Sequence, residues 1–233
     1  MKDLNLIHVK NPDEGAAFVL QLVKKELESN QLHVLGLATG STMIPVYQKW
    51  VESNLDFTNV TTFNLDEYVG ISAESPNSYA YFMDEYLFSQ KKFKETYLLN
   101  GMAENLENEC ASYEDLLQQH PLDIQLLGVG ENGHIAFNEP GTPFETATHV
   151  AKLTDSTLSV NSRLFENDEE IPDTALTMGV QSIMRARKIV LLAFGEKKRP
   201  AIMKLLEGQV TAKWPITKLL QHDDVTVITD FKI

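Results

Sequence analysis

Apolar and polar positions along the chain follow two alternating spacings. Short segments rich in apolar residues, which predict strands, occur at 32–38, 59–64, 96–99, 122–129, 147–153, 188–194 and 224–229. Between most of them, apolar residues recur at every third or fourth position, as in amphipathic helices. These helical patterns start at Asn11-Pro12, near Met43 and at Ser75-Pro76, and further ones cover 103–119, 174–186, 197–207 and 215–221. The pattern is therefore a succession of strand and helix units.

This alternation predicts an α/β fold with a mostly parallel sheet that carries helices on both faces. The 233 residues contain no internal repeat, low-complexity run or linker rich in proline, glycine and serine. We therefore expect one domain spanning 1–233. In such sheets the ligand crevice lies beyond the carboxyl ends of the strands, so loops that follow strands are where chemistry is expected.

Charge and hydropathy narrow the class of partner. The chain carries 20 Lys and Arg against 33 Asp and Glu, a formal net charge of −13. An excess of negative charge repels polyanions, so we expect no nucleic-acid partner. No apolar stretch is long enough to span a membrane, and the first residues contain no apolar signal segment. We therefore expect a cytoplasmic protein with no membrane partner.

Cysteine and histidine usage gives no sign of a metal site. Cys110 is the only cysteine, and it shares a helical face with Leu106, Tyr113 and Leu117, so we expect it in the core. The six histidines show no spacing typical of metal ligands, and none has a cysteine partner nearby. We expect neither a metal nor another cofactor.

The first unusual loop is 36–42 (GLATGST), between an apolar run and a helix start. Glycine allows close backbone approach, and hydroxyls and free N–H groups at a helix N-terminus attract an anion such as phosphate. Ordinary capping of the helix by Ser41 or Thr42 would use the same residues. The lysine of a P-loop is missing, so this is not a Walker A motif.

A second unusual loop, 64–70 (NLDEYVG), places Asp66 and Glu67 directly after an apolar strand. A partly desolvated carboxylate at this position is suited to act as a general base on a carbon acid. A solvated loop or a helix cap would explain the same pair, so the loop alone does not decide between them.

The third loop, 127–141 (LGVGENGHIAFNEPG), places His134 and Glu139 five positions apart after a buried strand. Histidine transfers protons in both directions near neutral pH, and a neighbouring carboxylate or amide fixes its orientation. A histidine that serves only a structural hydrogen bond is the alternative. The glycine spacing matches a dinucleotide fingerprint, but two prolines follow and predict a loop instead of the required helix. We therefore reject a nicotinamide site.

Two basic residues are candidates for completing an anion site. Arg163 lies in 161–163 (NSR), and Lys198 lies in 195–198 (GEKK). Arginine binds phosphate through two hydrogen bonds, and lysine adds a point charge. Most exposed lysines and arginines are merely solvated, so these two carry weight only together with the loops.

In combination, these segments resemble the glucosamine-6-phosphate deaminase family, in order and across nearly the whole chain. The matching segments are 36–42 (GLATGST), 62–70 (TFNLDEYVG), 76–79 (PNSY), 133–141 (GHIAFNEPG), 161–163 (NSR), 175–180 (ALTMGV) and 195–198. The resemblance implies a Rossmann-like fold and an aldose–ketose isomerisation coupled to loss of ammonia.

Carried over residue by residue, the resemblance implies catalytic roles for Asp66 as the enolisation base and His134 as the ring-opening group. It makes Glu139 the carboxylate that supports this histidine. Enolisation needs no cofactor when a base lies over the carbon acid. The implied contacts with the phosphate and the rest of the sugar phosphate are Thr39, Gly40, Ser41, Thr42, Arg163 and Lys198.

Two departures from the family pattern affect the expected properties. Some members have an aspartate two residues before the histidine, where this chain has Asn132; an amide can accept the imidazole N–H, but it cannot stabilise an imidazolium by charge. Residues 142–151 lack the basic residues of the activator site found in larger members. We therefore expect an altered pH profile, no activator site, and a monomer or small homo-oligomer.

Three rival functions are weighed against this resemblance. 6-Phosphogluconolactonase has a similar fold and a similar glycine-rich loop before the histidine, but Asn138-Glu139 and 66–70 (DEYVG) look like the deaminase pattern. A non-catalytic sugar-phosphate sensor usually includes a DNA-binding segment, and no basic helix-turn-helix pattern occurs here. A purely structural or interaction domain explains none of the three loops.

Overall fold

A computed structural model describes residues 4–161 and 172–233, without the side chains of residues 160 and 161. Its strands are β1 (Asn5–His8), β2 (Val34–Leu37), β3 (Thr61–Asn64), β4 (Asp66–Tyr68), β5 (Glu95–Tyr97), β6 (Ile124–Leu127), β7 (His149–Lys152), β8 (Thr174–Thr177), β9 (Lys188–Ala193) and β10 (Val225–Thr229). Its α-helices are α1 (Pro12–Glu28), α2 (Ile44–Glu52), α3 (Tyr79–Met83), α4 (Leu106–Gln119), α5 (Asp155–Asn161), α6 (Val180–Ile183) and α7 (Arg199–Leu206). A π-helical turn, Asp84–Phe88, continues α3, and 3-10 turns occupy Glu196–Lys198 and Pro215–Gln221.

Seven strands form one parallel sheet in the order β1-β10-β9-β6-β2-β3-β5. Connections between parallel strands are right-handed, which places α1, α2 and α3 on one face and α4, α6 and α7 on the other. Contacts agree with this arrangement, since α1 packs on α2 and Ser182 of α6 donates to Glu114 of α4. The predicted α/β class, with a parallel sheet covered on both faces, is confirmed.

The helices begin and end where local chemistry favours it. The side chain of Asn11 accepts the N–H of Glu14, and Pro12 occupies the first turn of α1. Ala16, Val19 and Val23 then point into the core, and each is fully buried. In the parts of the chain that the structure describes, no helix has the length and apolar composition needed to cross a membrane.

The main core lies on both sides of the sheet. All residues of β2, β3 and β6 are buried, and the largest buried side chains above them include Trp50, Tyr47 and Phe57. Cys110 is also buried, together with Tyr113 and Leu117 of the same helix. The expectation that this cysteine belongs to the core is confirmed.

A smaller antiparallel sheet, in the order β4-β8-β7, stands beside the parallel one. It begins where the chain leaves β3 at Leu65. The Leu65 N–H donates to the Leu37 carbonyl of β2 at 3.0 Å, and its carbonyl accepts the N–H of Met178, just after β8, at 2.7 Å. A single residue therefore links the two sheets, and Asp66 is the first residue of the smaller one.

The predicted helix over 174–186 is wrong. Residues 174–177 form β8, which pairs with both β4 and β7, and only the short helix α6 follows. Pairing on both edges and complete burial of Ala175 and Leu176 outweigh the helical spacing. The strand predicted over 147–153 is confirmed as β7, although it belongs to the antiparallel sheet. Strands β1 and β4 were not predicted.

The direction of the connections reverses between neighbouring strands β2 and β6. Chain order from β2 runs towards the β5 edge of the sheet, whereas chain order from β6 runs towards β10 and β1. Ligand crevices of open α/β sheets form at such a reversal, beyond the carboxyl ends of the strands. The loops that follow β2 and β6 are two of the three loops singled out in the sequence.

The packing of Gly101 against β4 gives a test of this arrangement. A Cβ at position 101 would overlap the carbonyl oxygen of Tyr68, which belongs to the backbone and has little freedom to move. We expect Gly101→Ala to lower the free energy of unfolding by about 1–3 kcal/mol, measured by urea denaturation. Gly128→Ala is the control, because nothing lies within 4 Å of its Cβ position. Equal stability of the two variants would contradict the packing.

Candidate functional site

A cavity of about 470 Å³ lies at the reversal point of the sheet. It is lined by Ala38, Thr39, Gly40, Ser41, Thr42, Leu65, Asp66, Tyr79, Gly128, Val129, Gly130, Glu131, Asn132, His134, Ala136, Phe137, Ser156, Thr157 and Lys198. All three loops predicted from the sequence thus meet at one site. Glu139 lies behind His134 instead of lining the cavity, and Arg163 falls outside the described residues.

The first loop, 38–42, forms one wall of the cavity. Gly40 has a φ of +98°, a left-handed conformation that favours glycine, and its carbonyl accepts the Met43 N–H at 2.9 Å. No side-chain hydrogen bond caps the start of α2. The alternative in which Ser41 or Thr42 caps this helix is therefore wrong, and both residues line the cavity.

Lys198 brings a positive charge to the same cavity. Its side chain is partly buried, and this burial lowers its pKa from the usual lysine range, with nearby Lys197 acting in the same direction and Glu131 opposing both. An anion in the cavity would favour the charged ammonium. The loop and the lysine together form a suitable place for a phosphate group.

Asp66 lies at the junction of the two sheets and faces the cavity. Asp66 is 8% exposed. Within residues 4–161 and 172–233, no group donates a hydrogen bond to its carboxylate. Burial, and next the negative charge of Glu67, raise the pKa of Asp66 to about 8. A carboxylate without donors and with a high proton affinity is suited to accept a proton from a bound molecule.

His134 lies across the cavity, packed against Gly130. A Cβ at position 130 would overlap the imidazole ring, so glycine is required for the ring to lie there. Its Nδ1 lies 3.5 Å from Glu139 Oε2 and 3.4 Å from Thr157 Oγ1. Since Nδ1 faces these two groups, Nε2 is the nitrogen available to a ligand.

Glu139 is held ionised behind the histidine. Burial opposes its charge, but hydrogen bonds from His134, Thr157 and Asn132, with the charge of His134, outweigh it and lower the Glu139 pKa to about 2. The Asn132 Nδ2 donates at 2.9 Å, and the Thr157 hydroxyl donates to the other carboxylate oxygen. A permanently charged carboxylate therefore faces the imidazole.

The sequence led us to expect that Asn132 would accept the imidazole N–H, but it does not. Its Oδ1 accepts the backbone N–H of His134 at 3.2 Å, while its amide donates to Glu139. The correction follows from geometry, because the imidazole Nδ1 already faces the Glu139 carboxylate and the Thr157 hydroxyl. Asn132 thus orders the loop and the carboxylate, and the loss of charge at this position is offset by Glu139.

Sequence reasoning missed Thr157 and Ser156, which reach the cavity from α5. Thr157 is 3% exposed and contacts both Glu139 and His134. Nothing in the local sequence marks this hydroxyl, because its partners are 18 and 23 residues away. Tyr79 also lines the cavity; its segment, 76–79, belonged to the family resemblance, but no role was predicted for its ring.

The glycine-rich loop after β6 is not followed by a helix. Residues 128–148, all of which are described, contain turns and a single bridge between Ile135 and Asn138. A dinucleotide site requires a helix N-terminus at this point. The rejection of a nicotinamide fingerprint agrees with this geometry.

The ionisation of Glu139 gives a stability prediction. Its folded-state pKa of about 2 lies below its ordinary value of 4.5, so the charge stabilises the fold above about pH 4.5, and this contribution disappears as the pH falls towards 2. Glu139→Gln should lower the free energy of unfolding at pH 7 by about 2–3 kcal/mol, and the deficit should shrink below pH 4.5.

Urea denaturation at a series of pH values measures this deficit. Glu145→Gln, at an exposed carboxylate of the same loop, is the control and should match the unmodified chain throughout. A Glu139→Gln deficit that stays constant from pH 7 to about pH 2 would contradict the proposed ionisation.

Comparisons with known proteins show which family this chain belongs to. The model of glucosamine-6-phosphate isomerases and 6-phosphogluconolactonase matches residues 11–228. A glucosamine-6-phosphate deaminase of Listeria monocytogenes serotype 4b is 52% identical over 227 residues, covering 97% of each chain. A solved monomeric glucosamine-6-phosphate deaminase is 39% identical, with a TM-score of 0.94 over 97% of each chain. A Thermotoga maritima 6-phosphogluconolactonase shares the fold at 18% identity, with a TM-score of 0.76 over 98% of this chain and 99% of that one. The chain belongs to the family of glucosamine-6-phosphate isomerases and 6-phosphogluconolactonases.

Proposed function

We propose that this chain is a glucosamine-6-phosphate deaminase, which converts glucosamine 6-phosphate and water to fructose 6-phosphate and ammonia. The observation that carries the proposal is the donor-free carboxylate of Asp66, which shares one cavity with His134. The names of the similar Listeria protein and of the similar solved structure support the same activity.

Asp66 performs the proton transfer of the isomerisation. In the open-chain sugar, the aldehyde at C1 makes the C2–H bond acidic. Transfer of this proton from C2 to C1 converts the aldose skeleton to a ketose skeleton. A base with a pKa of about 8 is well matched to such a transfer near neutral pH. Because no group in residues 4–161 or 172–233 donates a hydrogen bond to this carboxylate, its lone pairs are available to the substrate.

His134 opens the sugar ring. Ring opening needs a proton delivered to the ring oxygen and one removed from the C1 hydroxyl, which an imidazole can exchange through Nε2. Glu139 and Thr157 fix the other side of the ring, and the Glu139 charge stabilises the imidazolium that forms transiently. Ring opening in this form needs only the side chains of His134, Glu139 and Thr157.

The phosphate group binds away from the reacting carbons. We propose the loop Thr39 to Thr42 and Lys198 as its contacts, and we add Arg163 from the family resemblance. A phosphate held at this end places C1 and C2 between Asp66 and His134. Binding energy from a remote group then orients the reacting carbons.

A lactonase activity is the principal alternative, because 6-phosphogluconolactonases share this fold. Hydrolysis of a lactone needs an activated water, and a histidine can supply it. Lactone hydrolysis needs no proton transfer between neighbouring carbons. It therefore does not explain why a buried carboxylate, to which no group among the described residues donates a hydrogen bond, faces the cavity at Asp66. This residue favours the deaminase.

We further propose that the protein works in the cytoplasm as one domain spanning 1–233, as a monomer or small homo-oligomer. The similar solved deaminase is described as monomeric, which supports the smaller assembly. The net charge of −13 argues against a nucleic-acid partner.

The test is an assay of the metal-stripped protein with glucosamine 6-phosphate, in which ammonia and fructose 6-phosphate are followed together. We expect equal release of both products and losses of about 10²-fold or more in kcat for Asp66→Asn and His134→Gln. 6-Phosphogluconolactone is offered in parallel. Hydrolysis of the lactone without attack on the amino sugar would assign the lactonase activity, and binding without turnover of either would indicate a sensor.

The pH profile follows from the pKa of Asp66. The carboxylate must be ionised to accept the C2 proton, so kcat/KM should rise with pH and level off above about pH 8. The amine and the phosphate of the substrate also titrate in this pH range. As a control, we measure at each pH the binding of an open-chain analogue that has both groups and whose C1 aldehyde is reduced to an alcohol. A profile already flat above about pH 5, as for an ordinary aspartate, would refute this role of Asp66.

A further inference from the structure

Glu67 is a buried carboxylate that does not line the cavity. It is 3% exposed and accepts three backbone N–H groups, from Tyr68 at 2.9 Å, Tyr79 at 3.0 Å and Ala80 at 2.8 Å. Tyr79 and Ala80 form the first turn of α3, while Glu67 belongs to β4. The side chain therefore connects the strand that carries Asp66 to the helix that carries Tyr79.

Within the described parts of the chain, no lysine or arginine pairs with Glu67. Burial is the largest influence on its pKa and raises it, while the three N–H groups oppose this shift. A buried carboxylate with donors on both oxygens ionises more readily than a neighbour with none. These donors therefore favour the ionised form of Glu67 over that of Asp66, one residue away.

The acceptor pattern requires a glutamate at this position. Oε1 accepts the N–H groups of Tyr68 and Tyr79, and Oε2 accepts that of Ala80. A glutamine has only one acceptor oxygen, and its NH₂ would face an N–H donor. An aspartate is one methylene shorter and does not span the distance from β4 to α3.

Tyr79 is held from its other side by aromatic rings. Its ring centroid lies 4.9 Å from that of Tyr68 and 6.1 Å from that of Phe137, which also lines the cavity. The ring contacts fix the side chain, and Glu67 fixes the backbone that carries it. The cavity wall beside Asp66 thus depends on a carboxylate that does not itself line the cavity.

We propose that Glu67 is a positioning residue of the active site, which fixes Asp66 and Tyr79 relative to each other and keeps a second negative charge beside the Asp66 carboxylate. The inference rests on the proposed deaminase function where it concerns turnover. Its structural and electrostatic content is independent of the substrate.

Other titratable groups near Asp66 do not supply this charge. Tyr47 of α2, Tyr79 of α3 and Tyr113 of α4 have pKa values raised chiefly by burial, and the charge of Asp66 adds to this, so all three stay neutral near pH 8. His134 and Lys198 line the same cavity, and a positive charge on either favours ionised Asp66. Glu67 is the neighbour whose negative charge raises the Asp66 pKa.

Two variants of the full chain separate the charge of Glu67 from its reach. Glu67→Gln keeps the length but removes the charge and one acceptor oxygen, whereas Glu67→Asp keeps the charge and both acceptor oxygens but shortens the side chain. Glu114→Gln is the matched control, because Glu114 is an 8% exposed carboxylate that accepts hydrogen bonds from Ser182, Thr148 and Arg185 away from the cavity. It reports the general effect of neutralising a buried carboxylate.

The charge is read out by NMR titration of ¹³C-labelled aspartate carboxyls, with Asp66→Asn used to assign the Asp66 signal. We expect the Asp66 midpoint to fall by about half a unit or more in Glu67→Gln and to stay unchanged in Glu114→Gln. The acid limb of the kcat/KM profile should move to lower pH by the same amount. An unchanged Asp66 midpoint in Glu67→Gln would overturn the charge role.

The reach is read out by hydrogen exchange of the Tyr79 and Ala80 amides. We expect exchange to accelerate by about tenfold or more in Glu67→Asp, with a fall of about tenfold in kcat/KM. Unchanged protection of both amides would overturn the positioning role. The unmodified chain could fail to turn over glucosamine 6-phosphate while the shift of the Asp66 midpoint and the faster amide exchange are both observed. In that case the proposed function fails and the inference about Glu67 stands.

Discussion

The site depends on the point at which the chain leaves the parallel sheet. At Leu65 the N–H still bonds to β2, while the carbonyl already bonds to the residue after β8. Because this change of sheet occurs at the carboxyl end of β3, the next residue, Asp66, emerges beside the crevice instead of continuing the strand. The pairing of Asp66 with Thr177 covers it on the other side. One backbone transition therefore both exposes the carboxylate to the cavity and shields it from bulk water.

Burial alone does not decide how a carboxylate of this site behaves. Asp66 and Glu139 are almost equally buried, at 8% and 6% exposure, yet their pKa values move in opposite directions. Among the described residues no group donates a hydrogen bond to the Asp66 carboxylate, which has a negative neighbour, whereas Glu139 accepts hydrogen bonds from Asn132 and Thr157 and faces an imidazole. Two carboxylates with similar exposure thus become a proton acceptor and a permanent anion, a separation that acid–base catalysis requires.

The sequence predicted the elements that its local pattern determines. Strands such as β2 and β9 lie in mostly apolar runs, and α1 has its cap, first-turn proline and periodic apolar face in sequence. Strands β4 and β8 exist because they pair with each other, so their short and partly polar sequences do not identify them. The helical pattern over 174–186 was misleading for this reason.

The residues of the site also fall into those that a local sequence pattern marks and those that it does not. Glycine-rich loops, His134 and Asp66 follow apolar strands and were identified from their positions. The contacts of Thr157 and the orientation of Asn132 depend on segments that tertiary folding brings together. Contacts between distant segments leave no local pattern, so a single sequence did not predict them.

The location of the phosphate contacts decides how an acidic protein can bind an anionic sugar. A net charge of −13 repels such a substrate at long range, although salt screens this repulsion beyond about 10 Å. Attraction must therefore come from within the cavity. We propose that Lys198 supplies it together with the loop after β2, and Glu131 beside Lys197 and Lys198 partly balances their charge. In the proposed function, the phosphate binds at the side of the cavity formed by this loop and lysine, and the reacting carbons lie at the side formed by Asp66 and His134. In this proposed arrangement the phosphate lies apart from the reacting carbons, and its charge opposes the transient charge on the sugar less, because the interaction between charges weakens with distance.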